Sequence, residues 1–237
     1  MERHFDDELK GLNQDILKMG VLAEEAICRS IEALKNRDRE LARSVIENDS
    51  AIDRLELVVD EKCVDLIARH QPLAKDLRFI TVGMKLNSEL ERIADIAVDI
   101  SQRVLEIVDK PLLKPLVDIP AMTLIAQNMV RMAVDSFVKG DVELARKVIL
   151  SDSEADKLRN LITKELIEDY MAKDASTAPR AVQLLLIARF LERICDHATN
   201  IAEDVIYMVE AEVVRHHPER LKNMGDASAK SGGLDGK

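Results

Sequence analysis

The sequence contains very few aromatic residues. It has no Trp, two Tyr and four Phe among 237 residues, whereas 47% of the chain is hydrophobic and 33% is charged. A composition rich in aliphatic and charged residues but poor in aromatic ones is typical of helices with one apolar face rather than of β-sheets. We therefore expect an all-α fold.

Long apolar runs and signal sequences are also absent. No run of 18 apolar residues occurs, which predicts that no helix spans a membrane. The first ten residues, MERHFDDELK, are charged throughout and lack the apolar core of a signal peptide. Cys28, Cys63 and Cys195 are an odd number without a CxxC pair, which favours reduced thiols packed as small apolar side chains. These features predict a cytoplasmic protein.

Positive charge is scarce: 34 Lys and Arg stand against 44 Asp and Glu, a net charge of −10. We therefore expect no nucleic acid partner and no direct membrane binding, whereas cations or a basic partner protein suit this charge. Enzyme motifs are missing too: GxxxxGK[ST], GxGxxG, HExxH and GxSxG do not occur, nor does the Glu-x-x-His pair of di-iron bundles. The sequence predicts a protein that is not an enzyme.

Three blocks of sequence occur twice, in the same order and about one hundred residues apart. LERIAD (Leu90–Asp95) returns as LERICD (Leu191–Asp196), and LARSVI (Leu41–Ile46) returns as LARKVI (Leu144–Ile149). A DSxxD block begins at Asp49 and again at Asp152. Ordered matches of this kind indicate an internal duplication.

Apolar residues spaced at i, i+3, i+4 and i+7 predict six long helices. Short junctions between the first and second helices, and between the fourth and fifth, predict antiparallel hairpins. The helices are expected at roughly 5–36, 38–70, 75–109, 119–139, 141–172 and 178–216.

We interpret each repeat as a three-helix bundle. The predicted organisation is a first bundle at 5–110, a Pro-rich linker at 111–120 (PLLKPLVDIP), a second bundle at 121–216 and a flexible Gly-rich tail at 217–237.

Carboxylates follow one side of the third and sixth helices. At 100° per residue, Glu91, Asp95 and Asp99 form a stripe nearly opposite the apolar face. The sixth helix repeats Glu192 and Asp196, which we expect to face outward, and has Asn200 in place of Asp99.

The second and fifth helices carry further carboxylates at matching places. Asp49, Asp53, Glu56 and Asp60 share one face of the second helix. In the second repeat only Asp152 and Asp156 remain, followed by Arg159 and Thr163. If the second and third helices are neighbours, and likewise the fifth and sixth, carboxylates from two helices can converge.

Stacked like charges destabilise a helix unless something neutralises them. Arg92, Arg103 and Arg193 are close enough in sequence to do so, or the carboxylates bind a cation. Oxygen ligands without His or Cys suit Mg, Mn, Ca or iron rather than structural zinc. The alternative is a solvated charged face without bound metal.

The histidines are expected to have structural roles. We place His197 at the flank of its helix as a polar residue. His70, His216 and His217 lie at helix ends, where a protonated side chain interacts favourably with the helix dipole.

The chain resembles the PhoU family along nearly its whole length, from about residue 5 to 212. The resemblance is carried by the combination of ILKMGVLAEEAICRSIEAL (Ile16–Leu34), LARxVIxxDxxID beginning at Leu41, QPLAKDLRFI (Gln71–Ile80), LERIAD and LERICDHATNIAED (Leu191–Asp204). Proteins of this family are two tandem three-helix bundles.

This resemblance implies a negative regulator of phosphate-starvation genes and of phosphate uptake. Its expected partners are the nucleotide-binding subunit of the phosphate ABC transporter and a phosphate-sensing histidine kinase, with contact to the membrane only through them. A homodimer is also expected. Some members of the family carry metal clusters on ExxxD faces, and the metal here is left open among iron, Mn, Mg, Zn and Ca.

The metal ligands implied by the resemblance are Glu91 and Asp95 in the first repeat and Glu192 and Asp196 in the second, with Asp99, Asp49, Asp53, Asp152 and Asp156 as additions. Because Asn200 departs from the pattern, the second site is expected to hold fewer ions or to bind them more weakly.

Three alternatives remain open from the residues alone. The acidic faces could serve metal buffering as their whole function. The protein could be a structural adaptor whose faces are merely solvated. It could also act on phosphate esters through a metal pair, although it lacks a nucleophile and a phosphate-binding loop.

Overall fold

All six predicted helices are present, and the expected all-α fold is confirmed. The structure is a computed structural model that describes residues 2–213, so the predicted tail at 217–237 and the roles predicted for His216 and His217 lie outside it. Within 2–213 there is no β-strand, and no helix is long and apolar enough to cross a membrane. The helices are α1 (Glu2–Asn36), α2 (Arg39–His70), α3 (Ala74–Ile107), α4 (Asp118–Lys139), α5 (Val142–Glu165) and α6 (Ala178–Glu210).

The two predicted hairpins are closed by equivalent residues. Asp38 precedes α2 and accepts a hydrogen bond from the Leu41 N–H at 2.9 Å, and Asp141 precedes α5 and accepts one from Leu144 at 3.0 Å. An aspartate in this position satisfies a backbone donor that the first helical turn leaves free. The duplication therefore extends to the start of each repeat's second helix.

The residue before each of these caps has a left-handed backbone conformation. Gly140 adopts it at φ +63°, where glycine has no steric penalty, whereas Arg37 adopts it at φ +56°. The Arg37 guanidinium donates hydrogen bonds of 3.0–3.1 Å to the Val108 carbonyl and one of 3.0 Å to the Lys110 carbonyl. These bonds tie the first hairpin to the start of the linker.

The fifth helix ends earlier than the sequence predicts. Its α-helical part stops at Glu165 rather than near residue 172, and the chain continues as a π-helix at Leu166–Met171. The wider turn keeps Leu166 fully buried and packs Tyr170 against the core. Sequence periodicity at 100° per residue does not detect such a change of helix type.

Four helices form the centre of the molecule. α3 packs against α6 and α1 against α4, while α2 covers α1 and α3 on one side and α5 covers α4 and α6 on the other. Each repeat is thus a three-helix bundle, and the two bundles share one core.

The repeats contact each other closely at two places between their first or third helix and α4. A Cβ added to Gly20 of α1 would lie 3.0 Å from a methyl carbon of Val134 on α4. The half-buried Phe79 of α3 stacks on Phe137 of α4 with ring centroids 5.0 Å apart. The absence of a side chain at Gly20 therefore permits the contact between the repeats.

The cysteines behave as small apolar side chains. All three are free thiols; Cys63 and Cys195 are buried and Cys28 is partly buried. Burial raises the pKa of Cys63 to about 12 and raises that of Cys195 further. A thiol that stays protonated is neither a good nucleophile nor a metal ligand.

Candidate functional site

The first group of carboxylates lies along the contact between α2 and α3. We call it the first face, and it consists of Asp49, Asp53, Glu56, Asp60, Glu91, Asp95 and Asp99. Its members repel one another across the two helices, because the charge of Asp95 on α3 helps to raise the pKa of both Asp49 and Glu56 on α2. Carboxylates from two helices thus approach each other, as the packing of α2 on α3 requires.

Burial and mutual repulsion favour protonation of the first face. Burial, then the charges of Asp95, Glu56, Asp53 and Asp49, raises the pKa of Glu91 to about 7. The pKa of Asp49 is raised to about 6, mainly by burial and to a smaller extent by the charges of Asp53 and Asp95. Among residues 2–213, no Lys, Arg or His forms an ion pair with any of the seven. The first face is therefore rich in negative charge and has no counter-ion from the part of the chain that the structure describes.

A buried amide fixes one end of the first face. Asn87 on α3 is 0% exposed and donates hydrogen bonds to the Glu56 carbonyl at 2.9 Å and to Asp60 Oδ1 at 3.0 Å. Asn87 lies outside the carboxylate pattern from which the site was predicted. The available signal was an Asn within the largely apolar buried surface of α3, since a buried amide requires partners.

The second group of carboxylates lies between α5 and α6. We call it the second face, and it consists of Asp152, Asp156, Glu192 and Asp196. Burial, then the charges of Asp196, Asp156 and Glu192, raises the pKa of Asp152 to about 6. Repulsion among carboxylates is thus present here as well.

The prediction that Glu192 faces outward is wrong. Its side chain is 9% exposed, and Arg159 Nη2 on α5 lies 2.9 Å from its Oε1. Arg189, one turn earlier on α6, donates to the other carboxylate oxygen. Glu192 lies where α6 contacts α5. Its burial therefore depends on the packing of the neighbouring helix and not only on its position around α6.

The arginines that neutralise carboxylates are also not those expected. Arg92 lies 4.0 Å from Glu89, which is outside the first face. Arg103 and Arg193 form no ion pair within residues 2–213. Arg159 and Arg189 act instead, and both bind the buried Glu192 of the second face.

The predicted ligands differ in accessibility. Asp53, Asp95 and Asp196 are exposed, Glu192 is buried, and the others, Asp49, Glu91, Asp99, Asp152 and Asp156, are half-buried. Across residues 2–213, no three His, Cys, Asp or Glu side chains converge as a ready-made metal site. Uncompensated carboxylates repel each other, so a hard cation would have to draw them together.

Comparison with known proteins identifies the family. The model of the PhoU domain matches the chain twice, over residues 16–104 and 119–205. The chain belongs to the PhoU family. Each match covers most of one three-helix repeat of this PhoU-family chain.

Relatives of similar length support the assignment. The phosphate-specific transport system accessory protein PhoU homolog of Aquifex aeolicus is 40% identical over 219 residues, which cover 92% of this chain and 98% of that protein. PhoU from Pseudomonas aeruginosa has a crystal structure with a TM-score of 0.83 and 35% identity, covering 88% of this chain and 100% of that one. The crystal structure of the phosphate transport system regulatory protein PhoU from Streptococcus pneumoniae has a TM-score of 0.82 and 30% sequence identity. The match covers 89% of this chain and 99% of that one.

A polar cluster joins the two PhoU repeats between α3 and α6. His197 Nδ1 lies 2.6 Å from Glu89 Oε2, and Asn200 donates to the same oxygen at 3.3 Å. Burial favours a higher pKa for Glu89, but these hydrogen bonds and the charges of His197 and Arg92 outweigh it and hold the pKa below its ordinary value. His197 is therefore an inter-repeat contact, not merely a polar residue at a helix flank.

His70, the last residue of α2, has a comparable structural role. It lies in the last helical turn, as expected, but its Nε2 also lies 2.6 Å from Glu8 of α1. Its ring centroid is 4.6 Å from that of Phe5. His70 thus joins α2 to α1.

We predict that the metal-free protein loses stability as the pH rises from about 4.5 to about 7. The folded protein keeps a proton on Glu91 up to about pH 7, whereas its ordinary pKa is 4.5, so deprotonation in this window destabilises the folded state. Glu91→Gln should flatten the slope and stabilise the protein by roughly 1 kcal/mol near pH 8, after allowance for solvent screening.

Thermal unfolding with a chelator present, followed from about pH 4 to 8, measures this effect. Glu106→Gln, an exposed substitution on α3 outside the first face, is the matched control and should leave the slope unchanged. An equal slope in Glu91→Gln and the unmodified protein would contradict the prediction.

Proposed function

We propose that this protein is an accessory of phosphate uptake that keeps phosphate-starvation genes off when phosphate is plentiful. The observation that carries the proposal is the match of both repeats to the PhoU domain. The Aquifex aeolicus relative is named for phosphate-specific transport and the Streptococcus pneumoniae structure for its regulation. High coverage of both chains supports a shared role rather than a shared fragment.

In this proposal the protein acts by binding. It links the nucleotide-binding subunit of the phosphate ABC transporter to a phosphate-sensing histidine kinase and passes on the transport state. The net charge of −10 and the negative first face favour complementary basic surfaces on a partner. Exposed arginines such as Arg193, which forms no ion pair within residues 2–213, could contact acidic groups on the same partner.

Loss of the gene should raise alkaline phosphatase activity in cells grown with excess phosphate, because the starvation genes are then no longer kept off. The intact gene supplied on a plasmid should return the activity to its baseline. A plasmid with a premature stop codon early in α1 is the matched control. Low activity in the deletion strain would contradict the regulatory proposal and leave the family relationship as evidence for the fold alone.

The partner proposal has its own test. Crosslinking in intact cells, followed by purification of this protein, should recover the transporter's nucleotide-binding subunit and the kinase. Growth in high and in low phosphate should change the proportion of the two. Recovery of neither partner under both conditions would contradict the link even if the deletion phenotype is as expected.

We also propose that the protein binds a metal cation through its carboxylate faces. The specific support is the first face, where seven carboxylates from two helices have no counter-ion within residues 2–213. Hard oxygen ligands would bind and neutralise such a cation, and the resulting bridge between α2 and α3 would stiffen the first bundle. This role is compatible with the regulatory one.

Metal binding predicts that purified protein retains or takes up a cation stoichiometrically. The double variant Asp95→Ala, Asp196→Ala should lose it, because each substitution removes a central ligand from one face. Elemental analysis after dialysis is the measurement, with a double substitution of the exposed Glu47 and Glu106 to Ala as control. Unchanged metal content in the Asp95, Asp196 variant would contradict the proposal.

Metal buffering as the whole function remains the alternative. It predicts several ions per chain and a metal-tolerance phenotype that does not depend on phosphate. The alkaline phosphatase measurement distinguishes the two roles.

A further inference from the structure

We propose that the outer side of α2 is a docking surface for a basic amphipathic helix of a partner protein. The surface consists of Leu57, Val58, Glu61 and Val64, and we call it the α2 patch. The inference rests on the proposed function, in which the protein acts by binding. It adds where the protein binds and which chemistry it recognises.

Three large apolar side chains of α2 point away from the core. Leu57 is 61% exposed, Val64 is 56% exposed and Val58 is 53% exposed. Val59 and Cys63, roughly opposite Leu57 on the helix, are fully buried where α2 packs on α1 and α3. Burial in the core therefore does not account for the apolar character of the outer side. Grouped exposed apolar side chains beside polar ones are typical of protein interaction sites.

Glu61 lies at the centre of these apolar side chains. They stand four and three positions before it and three positions after it, which are the neighbouring places on a helix surface. Glu61 is exposed, and within residues 2–213 no Lys, Arg or His forms an ion pair with it. The adjacent Lys62 instead lies 2.6 Å from Asp15 of α1. The α2 patch thus combines an apolar rim with a negative charge that the described part of the chain does not neutralise.

The outer helix of the second repeat provides an internal comparison. With the two DSxxD blocks aligned, Val58 corresponds to Leu161 and Val64 corresponds to Ile167. Both residues of α5 and its π-helical extension are exposed as well, at 53% and 44%. Exposed apolar residues thus occur at two equivalent positions of the outer helices.

The charge between these apolar residues is reversed in the second repeat. Glu61 corresponds to Lys164, whose Nζ lies 4.0 Å from Glu168 Oε2 one turn later. Leu57 corresponds to the polar Asn160. The second repeat therefore has fewer apolar residues here, and they surround a cation that has a partner of its own. The two outer helices thus favour different partners.

Charge complementarity identifies the partner of the α2 patch. A Lys or Arg of the partner pairs with Glu61, while its aliphatic stem and the apolar residues beside it cover Leu57, Val58 and Val64. The patch extends for about two helical turns, roughly 10 Å, along α2. Apolar residues at i, i+3 or i+4, and i+7 of an amphipathic helix have the same spacing. A contact of so few residues is at the small end of protein interfaces, as a reversible link requires.

Charge also argues against other occupants. Glu61 and the net charge of −10 would repel an anionic membrane or a nucleic acid. Symmetric pairing of the α2 patch with its copy in a second molecule would place one Glu61 against the other. Pairing with α5 of a second molecule would join opposite sides of the protein, which gives a ring or a filament and not a two-fold dimer.

A model peptide tests the predicted chemistry. A labelled helical peptide of about 18 residues, with Leu along one side and Lys among the Leu residues, is titrated with full-length protein and followed by fluorescence anisotropy. Leu57→Ser and Glu61→Lys should each weaken binding about tenfold or more, because they remove apolar contact and the attracting charge. A peptide with Glu in place of Lys should bind Glu61→Lys more tightly than the unmodified protein.

Matched controls separate the patch from the overall charge of the protein. Leu161→Ser and Glu154→Lys make the same changes at exposed positions of α5 and should alter the affinity by less than about twofold. A peptide of the same composition with Leu distributed around the helix should bind about tenfold more weakly. Far-UV circular dichroism shows whether each variant is folded.

A second measurement identifies the natural contact. A photo-crosslinking amino acid placed at position 57 in intact cells should capture a partner protein through a segment with Lys or Arg among helically spaced apolar residues. The same amino acid at position 161 should not capture that segment. The crosslinked segment is identified by mass spectrometry.

The outcomes separate this inference from the proposed function. Unchanged peptide affinity in Leu57→Ser and Glu61→Lys would overturn the inference. No product from position 57, a captured segment without basic residues, or capture of a second copy of this chain would also overturn it. If Glu61→Lys cells still yield the transporter subunit and the kinase in normal amounts, the inference fails and the proposed link stands. The regulatory proposal fails instead if the deletion strain has low alkaline phosphatase activity.

Discussion

The packing of α3 against α6 is the constraint on which the rest of the structure depends. Each of these helices must present one side to its own bundle, one to the other repeat and one to the outer helix α2 or α5. Little of the surface of α3 or α6 then remains for solvent. The carboxylates of these two helices occupy that solvent-facing strip and the border with the outer helix. The positions of the faces therefore follow from how many neighbours each central helix has, more than from any preference of the carboxylates themselves.

Duplication preserved the backbone of the repeats more closely than their charges. The aspartate caps Asp38 and Asp141 have the same geometry, since a helix start needs a hydrogen-bond acceptor whatever the function of the repeat. Side chains on the faces are not constrained in that way. At one equivalent position the first repeat has Glu56 on α2 and the second has Arg159 on α5. Such an exchange leaves the helix intact while reversing the sign of a charge beside the candidate site.

Much of this fold could be predicted from sequence because its determinants are local. Periodicity located the six helices, and repeated blocks located the duplication. The burial of Glu192 and the contact between His197 and Glu89 could not be predicted in the same way. Both depend on which residue of one helix lies opposite which residue of another, and a helical wheel contains no information about that register.

Carboxylates repel one another on both faces, but within residues 2–213 only the second face has arginines that partly neutralise them. Carboxylates that repel one another and have raised pKa values reduce the stability of the folded state. In the second repeat Arg159, at the position equivalent to Glu56, and Arg189 offset part of this repulsion. Stability alone does not favour such an arrangement, which is the reason the first face is where the proposed metal binding is expected. The charge of the first face, which has no counter-ion within residues 2–213, is thus the part of this surface that packing does not explain.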